Sequence, residues 1–519
     1  MRSKAPRTVT LISSPDVAEW KLDICPSPRL PPLAWVARVR FPDVRVACGT
    51  SVRHSDGAFF DGTWPGASEL ASVLDATVPF GAGMVVREGR LFIVPAGHTC
   101  EGIYLCRPSA TDETLFVANS ITALLEATDQ TLVAGVDYVN RFIKLAEGLP
   151  FSPIRIPTSG APIEFRYFEN LAIDVAGRVS VVAKARERPF ASYEDYVARL
   201  ESATTSLFAN APSYAPVIAL SNGYDSTAMA VVAARAGLRQ ALTFATVRPA
   251  RANEADTSDS GTTTAAHLGI DAKVIDRVSY LTRDDLPEAE FLATGGPGED
   301  VANSAMEPEL HKRILVTGDV GAALYRYGRP KRSDLWRLDL SGSSMTEFRL
   351  RTDFIFVPLP VFGMTEIPSL QNITLSEAMK PWSVGGYYDR PIARRIAEQA
   401  GGLPRGSFAA VKHAATALIH QDPEAHLAPA SLASLRAFAA REGTRLELVA
   451  RRPLRRRERF VVKASHRLHV DRLGRAMAAR QWAMIHQDPR QGSILFRWGV
   501  ETIRPRYAAV RELLGLDRT

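Results

Sequence analysis

The sequence is poor in cysteine, and it has no apolar run of the length that a membrane-spanning helix needs. The four cysteines among its 519 residues are Cys25, Cys48, Cys100 and Cys106. None forms a C-x-x-C pair, so we expect reduced, mostly buried thiols rather than a disulfide framework or a structural zinc site. The best apolar run, at 354–364, is interrupted by two prolines and falls well short of the roughly 20 residues of a transmembrane helix.

The N-terminal segment is basic, with Arg2, Lys4 and Arg7, but no apolar stretch of signal-peptide type follows it. We therefore expect a cytoplasmic protein that has no membrane partner. The net charge is +7 and the isoelectric point is about 9.2, a mild excess for a chain of this length. Such a charge is compatible with an anionic ligand such as ATP, but it does not require one.

Three regions of the chain differ in their hydrophobic pattern, as expected of a sequence too long for a single core. In residues 1–190 the short apolar runs typical of β-strands are 33–41, 44–48, 83–86, 91–94, 102–106 and 114–118. Residues 191–420 alternate strand-like and helix-like segments. Residues 421–519 are helical in pattern and basic around 451–457. The sequence thus predicts a β-rich domain, an α/β domain and a helical basic region.

The middle region has the rhythm of a parallel sheet covered by helices. A capping sequence, S-Y-E-D, starts a helix after Ser192. The strand-like runs that follow are 217–220, 241–247, 272–275 and 314–317. The helix-like segments between them are 227–236 and 262–268. Alternation of this kind predicts a parallel sheet with helices on both faces, and ligands bind such sheets at the carboxyl ends of the strands.

The segment 221–226, S-N-G-Y-D-S, lies between a predicted strand and a predicted helix. Backbone N–H groups at the start of a helix, together with the helix dipole, favour an anion there. A carboxylate at Asp225 would repel a bare phosphate, so its presence indicates a bridging Mg²⁺ ion. The residues assigned to nucleotide binding are Ser221, Asn222, Gly223, Tyr224, Asp225 and Ser226. The alternative is an unrelated turn, because these residue types are common in turns.

This segment resembles the S-G-G-x-D-S pyrophosphate loop of the PP-loop ATP pyrophosphatases, with Asn222 in place of one glycine. Other segments resemble asparagine synthetase in the same order along the chain. They are 114–125, Glu254 with Asp256, 317–325 (T-G-D-V-G-A-A-L-Y, similar to S-G-E-G-A-D-E-L-F) and 388–390 (Y-D-R). The resemblance implies an α/β PP-loop fold that uses ATP and Mg²⁺. It places Gly318 at the nucleotide, and Asp225 and Asp319 at the metal.

Two departures from the family bear on activity. The chain begins Met-Arg, whereas the glutaminase of that family has cysteine as its first mature residue. The resemblance therefore implies a glutaminase-like domain without glutaminase activity, an arrangement similar to that of β-lactam synthetase and lasso-peptide cyclases. Ala322 and Ala323 stand where the family has Asp-Glu, which includes a metal ligand. Asp319 is the neighbouring carboxylate that would replace it.

The function that this resemblance implies is an ATP-dependent, AMP-forming ligase. It would adenylate a carboxylate and join it to an amine or peptide. The residues expected near the acyl centre are Lys412, Tyr388 and Asp389, with Lys380 and Tyr387 as further candidates. Two alternatives stay open. Asn222, Ala322 and Ala323 favour a non-catalytic relative that binds a nucleotide or a peptide, and the basic C-terminal region would suit a PP-loop enzyme acting on RNA, although the glutaminase-like front half makes a nucleic-acid partner unlikely.

Other polar clusters have ordinary explanations. We expect the carboxylate pairs at 284–285 and 299–300 to lie in solvated turns. The arginine-rich run 451–457 lacks interleaved aromatic residues and is expected at a solvated surface. His466 and His469 have charged neighbours and predict no metal site.

Overall fold

The computed structural model describes residues 19–109, 113–246, 259–326, 335–337, 339–385, 388–408, 417, 419, 422–443 and 489–516. It is a mixed α/β structure whose N-terminal part is rich in β-strands. The strands of that part are β1 Lys21–Pro26, β2 Trp35–Arg40, β3 Asp43–Cys48, β4 Arg53–Ser55, β5 Ala58–Phe60, β6 Gly83–Arg87, β7 Arg90–Val94, β8 Ile103–Cys106, β9 Leu115–Ala118, β10 Ile154–Ile156, β11 Ile163–Arg166, β12 Asn170–Ile173 and β13 Val179–Val182. Its helices are α1 Ile121–Ala127 and α2 Tyr138–Ile143.

The N-terminal strands form two sheets that share an apolar core. One sheet has the order β1-β3-β2-β9-β8-β11-β10, and the other has the order β13-β12-β7-β6-β5-β4. Trp35 and Val117 from the first sheet and Met84 and Ile93 from the second belong to the same buried cluster. The two sheets therefore pack face to face, which explains why apolar side chains alternate along their strands.

Strands β6 and β7 form a hairpin and pair in antiparallel register. Its turn residues, Glu88 and Gly89, have φ angles of 52° and 69°. Positive φ at both central positions is what a two-residue turn needs to match the twist of its flanking strands. The predicted strand runs of this region are confirmed.

The middle part is built on a parallel sheet. Its strands are β14 Ala215–Ala219, β15 Gln240–Phe244, β16 Asp271–Ile275, β17 Arg313–Thr317 and β18 Phe354–Pro358. They lie in the order β16-β15-β14-β17-β18, and all neighbours run parallel. The helices are α3 Tyr193–Ala209, α4 Tyr224–Arg235, α5 Thr262–His267, α6 Glu288–Leu292, α7 Gly321–Tyr325, α8 Thr346–Thr352, α9 Ile367–Thr374 and α10 Pro391–Arg395.

The sequence predicted the first four of these strands and helices α4 and α5 between them, but not α6, which lies between β16 and β17. Ser192 caps α3 as expected, because its side chain accepts a hydrogen bond from the backbone N–H of Asp195 at 3.1 Å. Strand β18 was not predicted. All five of its residues are buried, so the run shows no alternation that would identify it as a strand.

The described C-terminal residues are helical, as the sequence predicts. Their helices are α11 Pro423–His426, α12 Pro429–Arg441, α13 Pro489–Ile503 and α14 Val510–Leu513. Helix α13 packs against both α2 and α6. Phe496 stacks edge-on against Phe142, and a Cβ on Gly499 would stand 2.7 Å from the backbone nitrogen of Ala293. The basic run 451–457, His466 and His469 lie outside the described residues.

A buried ion-pair network joins the β-rich part to the parallel sheet. Arg349 of α8 places Nη2 3.1 Å from Oδ1 of Asp61, and its Nε pairs with Glu101. Asp61 also accepts a hydrogen bond from Nε1 of Trp35 at 2.8 Å. A continuous apolar cluster extends across the same boundary. The sheets of the β-rich part and the parallel sheet therefore lie on opposite sides of residue 190 in the sequence, but the two parts share a continuous apolar core.

Two further observations on the described part of the chain concern membrane-spanning helices and the cysteines. No helix there is long and apolar enough to cross a membrane. All four cysteines are free thiols, and Cys48, Cys100 and Cys106 are buried, as predicted.

Candidate functional site

Two loops meet at the carboxyl end of the parallel sheet. One follows β14 and leads into α4, and the other follows β17 and leads into α7. The two strands are parallel neighbours, so their following loops emerge side by side. A Cβ added to Gly318 would stand 2.5 Å from the backbone nitrogen of Ser226, and one added to Gly321 would stand 2.7 Å from Cγ of Asp225. The two loops are therefore in contact, and glycine at positions 318 and 321 makes this close approach possible.

The loop before α4 is folded by its own hydroxyl groups. Ser221 Oγ and Ser226 Oγ are 2.9 Å apart, and the backbone N–H of Gly223 donates to Ser221 Oγ at 3.2 Å. The backbone N–H of Asn222 donates to the carbonyl of Asp259 at 3.0 Å. The loop is therefore held in place at the start of a helix of three turns. Ser221, Gly223, Asp225 and Ser226 line the cavity described below, whereas Asn222 and Tyr224 do not.

Two tyrosines with different surroundings flank this loop. The hydroxyl of Tyr388 accepts a hydrogen bond from the backbone N–H of Tyr224 at 3.3 Å, and Tyr388 lines the cavity. Burial raises the pKa of Tyr388. The ring of Tyr224 is buried, and its hydroxyl accepts from Arg394. The side chain of Tyr388 thus borders the cavity, whereas Tyr224 contributes the backbone N–H group that donates to Tyr388.

Asp225 already has a cation beside it. Nε of Arg390 lies 3.4 Å from Oδ1 of Asp225, and the Arg390 side chain is only 3% exposed. The guanidinium group also lies over the ring of Tyr388, 5.5 Å from its centroid. The carboxylate predicted to bind metal is therefore neutralised in part by the protein.

The cavity at this end of the sheet encloses about 310 Å³ and is strongly acidic. Its carboxylate-bearing residues are Asp225, Asp259, Glu299, Asp300, Asp319 and Asp339. Among the described residues that line it, none is a lysine, an arginine or a histidine. Leu242, Phe244 and Met306 supply apolar surface. A bare polyanion would be repelled here, and a cation would be attracted.

The prediction that Glu299 and Asp300 lie in a solvated turn is wrong. The two residues are 6% and 9% exposed, and both line the cavity. Asp300 is fully used by the fold, because it accepts hydrogen bonds from the backbone N–H of Gly342 at 2.9 Å and from Ser344 Oγ at 2.7 Å. Burial, with a smaller contribution from the charges of Asp339 and Asp300, raises the pKa of Glu299 to about 8.

Asp319 lines the same cavity from the loop after β17. Its Oδ2 accepts a hydrogen bond from Thr317 Oγ1 at 2.8 Å. Burial raises the pKa of Asp319 to about 7, with a further contribution from Asp300. Ala322 also lines the cavity, so no carboxylate occupies the position where the resembling family has one.

The remaining predicted residues lie away from the cavity or outside the described residues. The carboxylate of Asp389 is buried and accepts from the backbone N–H groups of Val384 at 3.3 Å and Gly385 at 3.1 Å. It shapes the loop that leads to Tyr388 and does not line the cavity. Lys380 is largely exposed and pairs with Glu377 at 2.6 Å. The predicted residues that lie outside the described part of the chain are Lys412, Tyr387, Glu254 and Asp256.

The donor set fits Mg²⁺ with a phosphate ligand better than it fits a preformed metal centre. Carboxylate oxygens are preferred Mg²⁺ ligands, and Mg²⁺ sites of this kind are completed by substrate phosphates and water. Within the described ranges, no three His, Cys, Asp or Glu side chains are placed to hold an ion by themselves.

A scan against models of known protein families finds no match, and a search of curated proteins finds no relative.

Proposed function

We propose that this chain is an ATP-dependent, AMP-forming ligase of the asparagine-synthetase-like PP-loop type. It would adenylate a carboxylate substrate and join it to an amine. The observation that carries this proposal is the contact between two loops at the carboxyl end of adjacent parallel strands. One loop stands at the start of helix α4, and the other bears the carboxylate of Asp319. Open α/β sheets bind their ligands at this position.

The loop 221–226 is proposed to hold the pyrophosphate part of ATP. Its backbone N–H groups stand at the start of α4, where the helix dipole favours negative charge. Asp225 and Asp319 are the residues that would hold Mg²⁺. When bound, Mg²⁺ would neutralise phosphate charge and thereby let the acidic cavity accept ATP. Leu242 and Phe244 offer an apolar surface for the base.

The proposed reaction has two steps. A substrate carboxylate oxygen attacks the α-phosphorus of ATP, the bond to the bridging oxygen breaks, and pyrophosphate leaves. The nitrogen of an amine then attacks the acyl carbon, a C–N bond forms, and AMP leaves with the electron pair of the broken C–O bond. Tyr388 is placed to hydrogen-bond a substrate in the cavity, and Asp389 positions it through the 383–385 loop. The role of Lys412 remains a prediction.

A non-catalytic relative that binds a nucleotide is the second candidate. The pairing of Asp225 with Arg390 and the alanines at 322 and 323 favour it, because each removes a carboxylate from metal binding. Action on RNA is less favoured, since the acidic wall of the cavity would repel a phosphate backbone.

Two measurements test the proposal. Calorimetric titration of the full chain with Mg-ATP should show one binding site. Exchange of labelled pyrophosphate into ATP, screened over a panel of carboxylic acids, should then find acids that support exchange. Absence of Mg-ATP binding would contradict the nucleotide site. Binding of Mg-ATP without exchange for any acid would favour the non-catalytic relative.

A further inference from the structure

The cavity is acidic, although the two reactants of the proposed adenylation are both anions. The proposed reaction brings ATP and a carboxylate to a wall that already carries six acidic side chains. Asp225 has Arg390 beside it, and Asp300 has its three hydrogen-bond donors. These two are explained by the fold, but the acidic wall as a whole is not.

Glu299 is the carboxylate that the fold leaves without a partner. It is 6% exposed and lines the cavity, and no hydrogen bond or ion pair joins its side chain to the residues that the structure describes. Other buried glutamates are satisfied. Glu288 accepts from Ser431 and the backbone of Ala428, and Glu347 accepts from Ser120 and Tyr507. A buried carboxylate costs several kcal/mol unless it is paired, so an unpaired one that faces a cavity points to a ligand.

The surroundings of Glu299 suit an organic cation better than a metal ion. A divalent metal needs several converging oxygens, and within the described ranges no three acidic or imidazole side chains provide them. Asp339 is the acidic neighbour of Glu299, and its own carboxylate is oriented by Ser341, which donates to it from Oγ at 2.8 Å. Ala302 and Met306 line the same wall and could contact a carbon chain.

We propose that the cavity binds the second substrate as a protonated primary amine, held through its ammonium group by Glu299 and Asp339. This inference rests on the proposed ligase function, and it names the chemical class of the amine acceptor. The ammonium supplies the charge that the wall lacks. It also places the nitrogen in the cavity that the loop 221–226 borders.

The same pair gives the proton a destination. An ammonium is not a nucleophile, so it must lose a proton before it attacks. Glu299 accepts that proton, and the neutral nitrogen forms the C–N bond with the acyl carbon while AMP leaves with the electron pair of the C–O bond. The second proton, which the nitrogen loses as it becomes an amide, passes to solvent. An alkyl ammonium has an ordinary pKa of about 10.4. The pKa of the buried Glu299 carboxyl is raised to about 8, so the pKa difference that opposes this proton transfer is smaller than it would be for an ordinary carboxyl.

The test uses n-butylammonium chloride as the probe and 1-butanol as its uncharged isostere. Both are titrated into the full chain with and without Mg-ATP, and binding is followed by saturation-transfer NMR. We expect the wild type to bind the ammonium and to discriminate against the alcohol by about tenfold or more. Glu299→Gln should lose this preference, and Glu299→Asp should retain part of it. Glu309→Gln, which changes a carboxylate paired with Lys273 outside the cavity, is the matched control and should bind like the wild type.

Several outcomes would overturn the inference. Equal binding of amine and alcohol would do so, as would unchanged amine binding by a folded Glu299→Gln variant. Loss of Mg²⁺ binding in that variant, with amine binding intact, would identify the wall as a metal site instead. Failure of the ligase proposal is seen separately, as absence of Mg-ATP binding by the wild type. Circular dichroism of each variant checks that it is folded.

Discussion

Gly318 lies so close to Ser226 that a Cβ on residue 318 would stand 2.5 Å from the backbone nitrogen of Ser226. Real Cβ atoms do not approach backbone this closely, so one of the two loops would have to move. The packing of the loop 221–226 against the loop of Asp319 therefore depends on the absence of a side chain at position 318.

Gly318→Ala should separate the two loops and weaken both stability and nucleotide binding. Overpacking of this kind costs roughly 1–3 kcal/mol in the free energy of unfolding. Mg-ATP affinity should fall by more than the stability loss alone explains, because the anion-binding N–H groups move. Gly296→Ala is the control, since its Cβ would meet only Thr294 Oγ1 at 3.6 Å. Equal behaviour of the two variants in chemical denaturation would show that the contact is not limiting.

Asp225→Asn should weaken Mg-ATP binding by about tenfold or more, because a charge-assisted contact to the metal is worth roughly 1.5–3 kcal/mol. Asp319→Asn should cost a similar amount if that residue replaces the ligand absent at Ala322. The double variant should be less than additive, as expected of two ligands to one ion. Calorimetry with Mg-ATP measures all three variants. Asp174→Asn, in an exposed turn paired with Arg178, should bind like the wild type.

The stability of the protein should depend on pH through Glu299. Its folded-state pKa is raised from 4.5 to about 8, so the folded protein holds this proton more tightly than the unfolded chain does. Asp339 and Asp300 face Glu299 and raise its pKa, whereas Arg337 lowers it. The contribution is therefore fully favourable below pH 4.5, and it is lost as the pH rises through about 8.

Glu299→Gln should remove this dependence. The variant should gain on the order of 2 kcal/mol in unfolding free energy at a pH of about 8.5 and change little at a pH of about 5. Urea denaturation at the two pH values measures the difference. Glu309→Gln should shift stability by less than about 0.5 kcal/mol at both. A Glu299→Gln variant that is less stable than the wild type at the higher pH would contradict the assigned burial cost.

Arg349→Met should destabilise the whole chain, because it leaves Asp61 and Glu101 buried without their cation. Removal of one partner from a buried network costs roughly 3–5 kcal/mol. The exposed pair of Arg29 with Glu512 supplies the comparison, and Arg29→Met should cost less than about 1 kcal/mol. A single unfolding transition, shifted in Arg349→Met, would show that the two parts unfold together. Two separate transitions in the wild type would show that they do not.

The frame of the site could be predicted from local patterns. The run before Ser221 is short and apolar, the segment after it has helical spacing, and glycine and serine lie between them. These signals are set by neighbours in sequence, so the loop at 221–226 could be predicted from the periodicity of strands and helices. The placement of Gly318 at the same site came from the resemblance. The resemblance named the reaction, which remains a proposal.

The acidic wall could not be predicted in the same way. Glu299 and Asp300 follow a glycine-rich stretch, and that local context is typical of a solvated turn. Asp300 is held in its buried position by Gly342 and Ser344, which lie more than forty residues further along the chain, at separations that no local pattern encodes. One local signal was present: apolar residues at 301, 302 and 306 follow at once and indicate a segment with a buried face.

Arg390 lies beside Asp225, so a metal ion that bound at the proposed site would replace the guanidinium group as the counter-ion of this carboxylate. Any cation that binds Oδ1 of Asp225 competes with a guanidinium group that is already 3.4 Å away. The arriving ion replaces a positive charge instead of adding to an empty site, so the local charge rises by less than the charge of the ion. The displaced guanidinium group would then have N–H groups without hydrogen-bond acceptors, next to the position where a phosphate would bind with the metal.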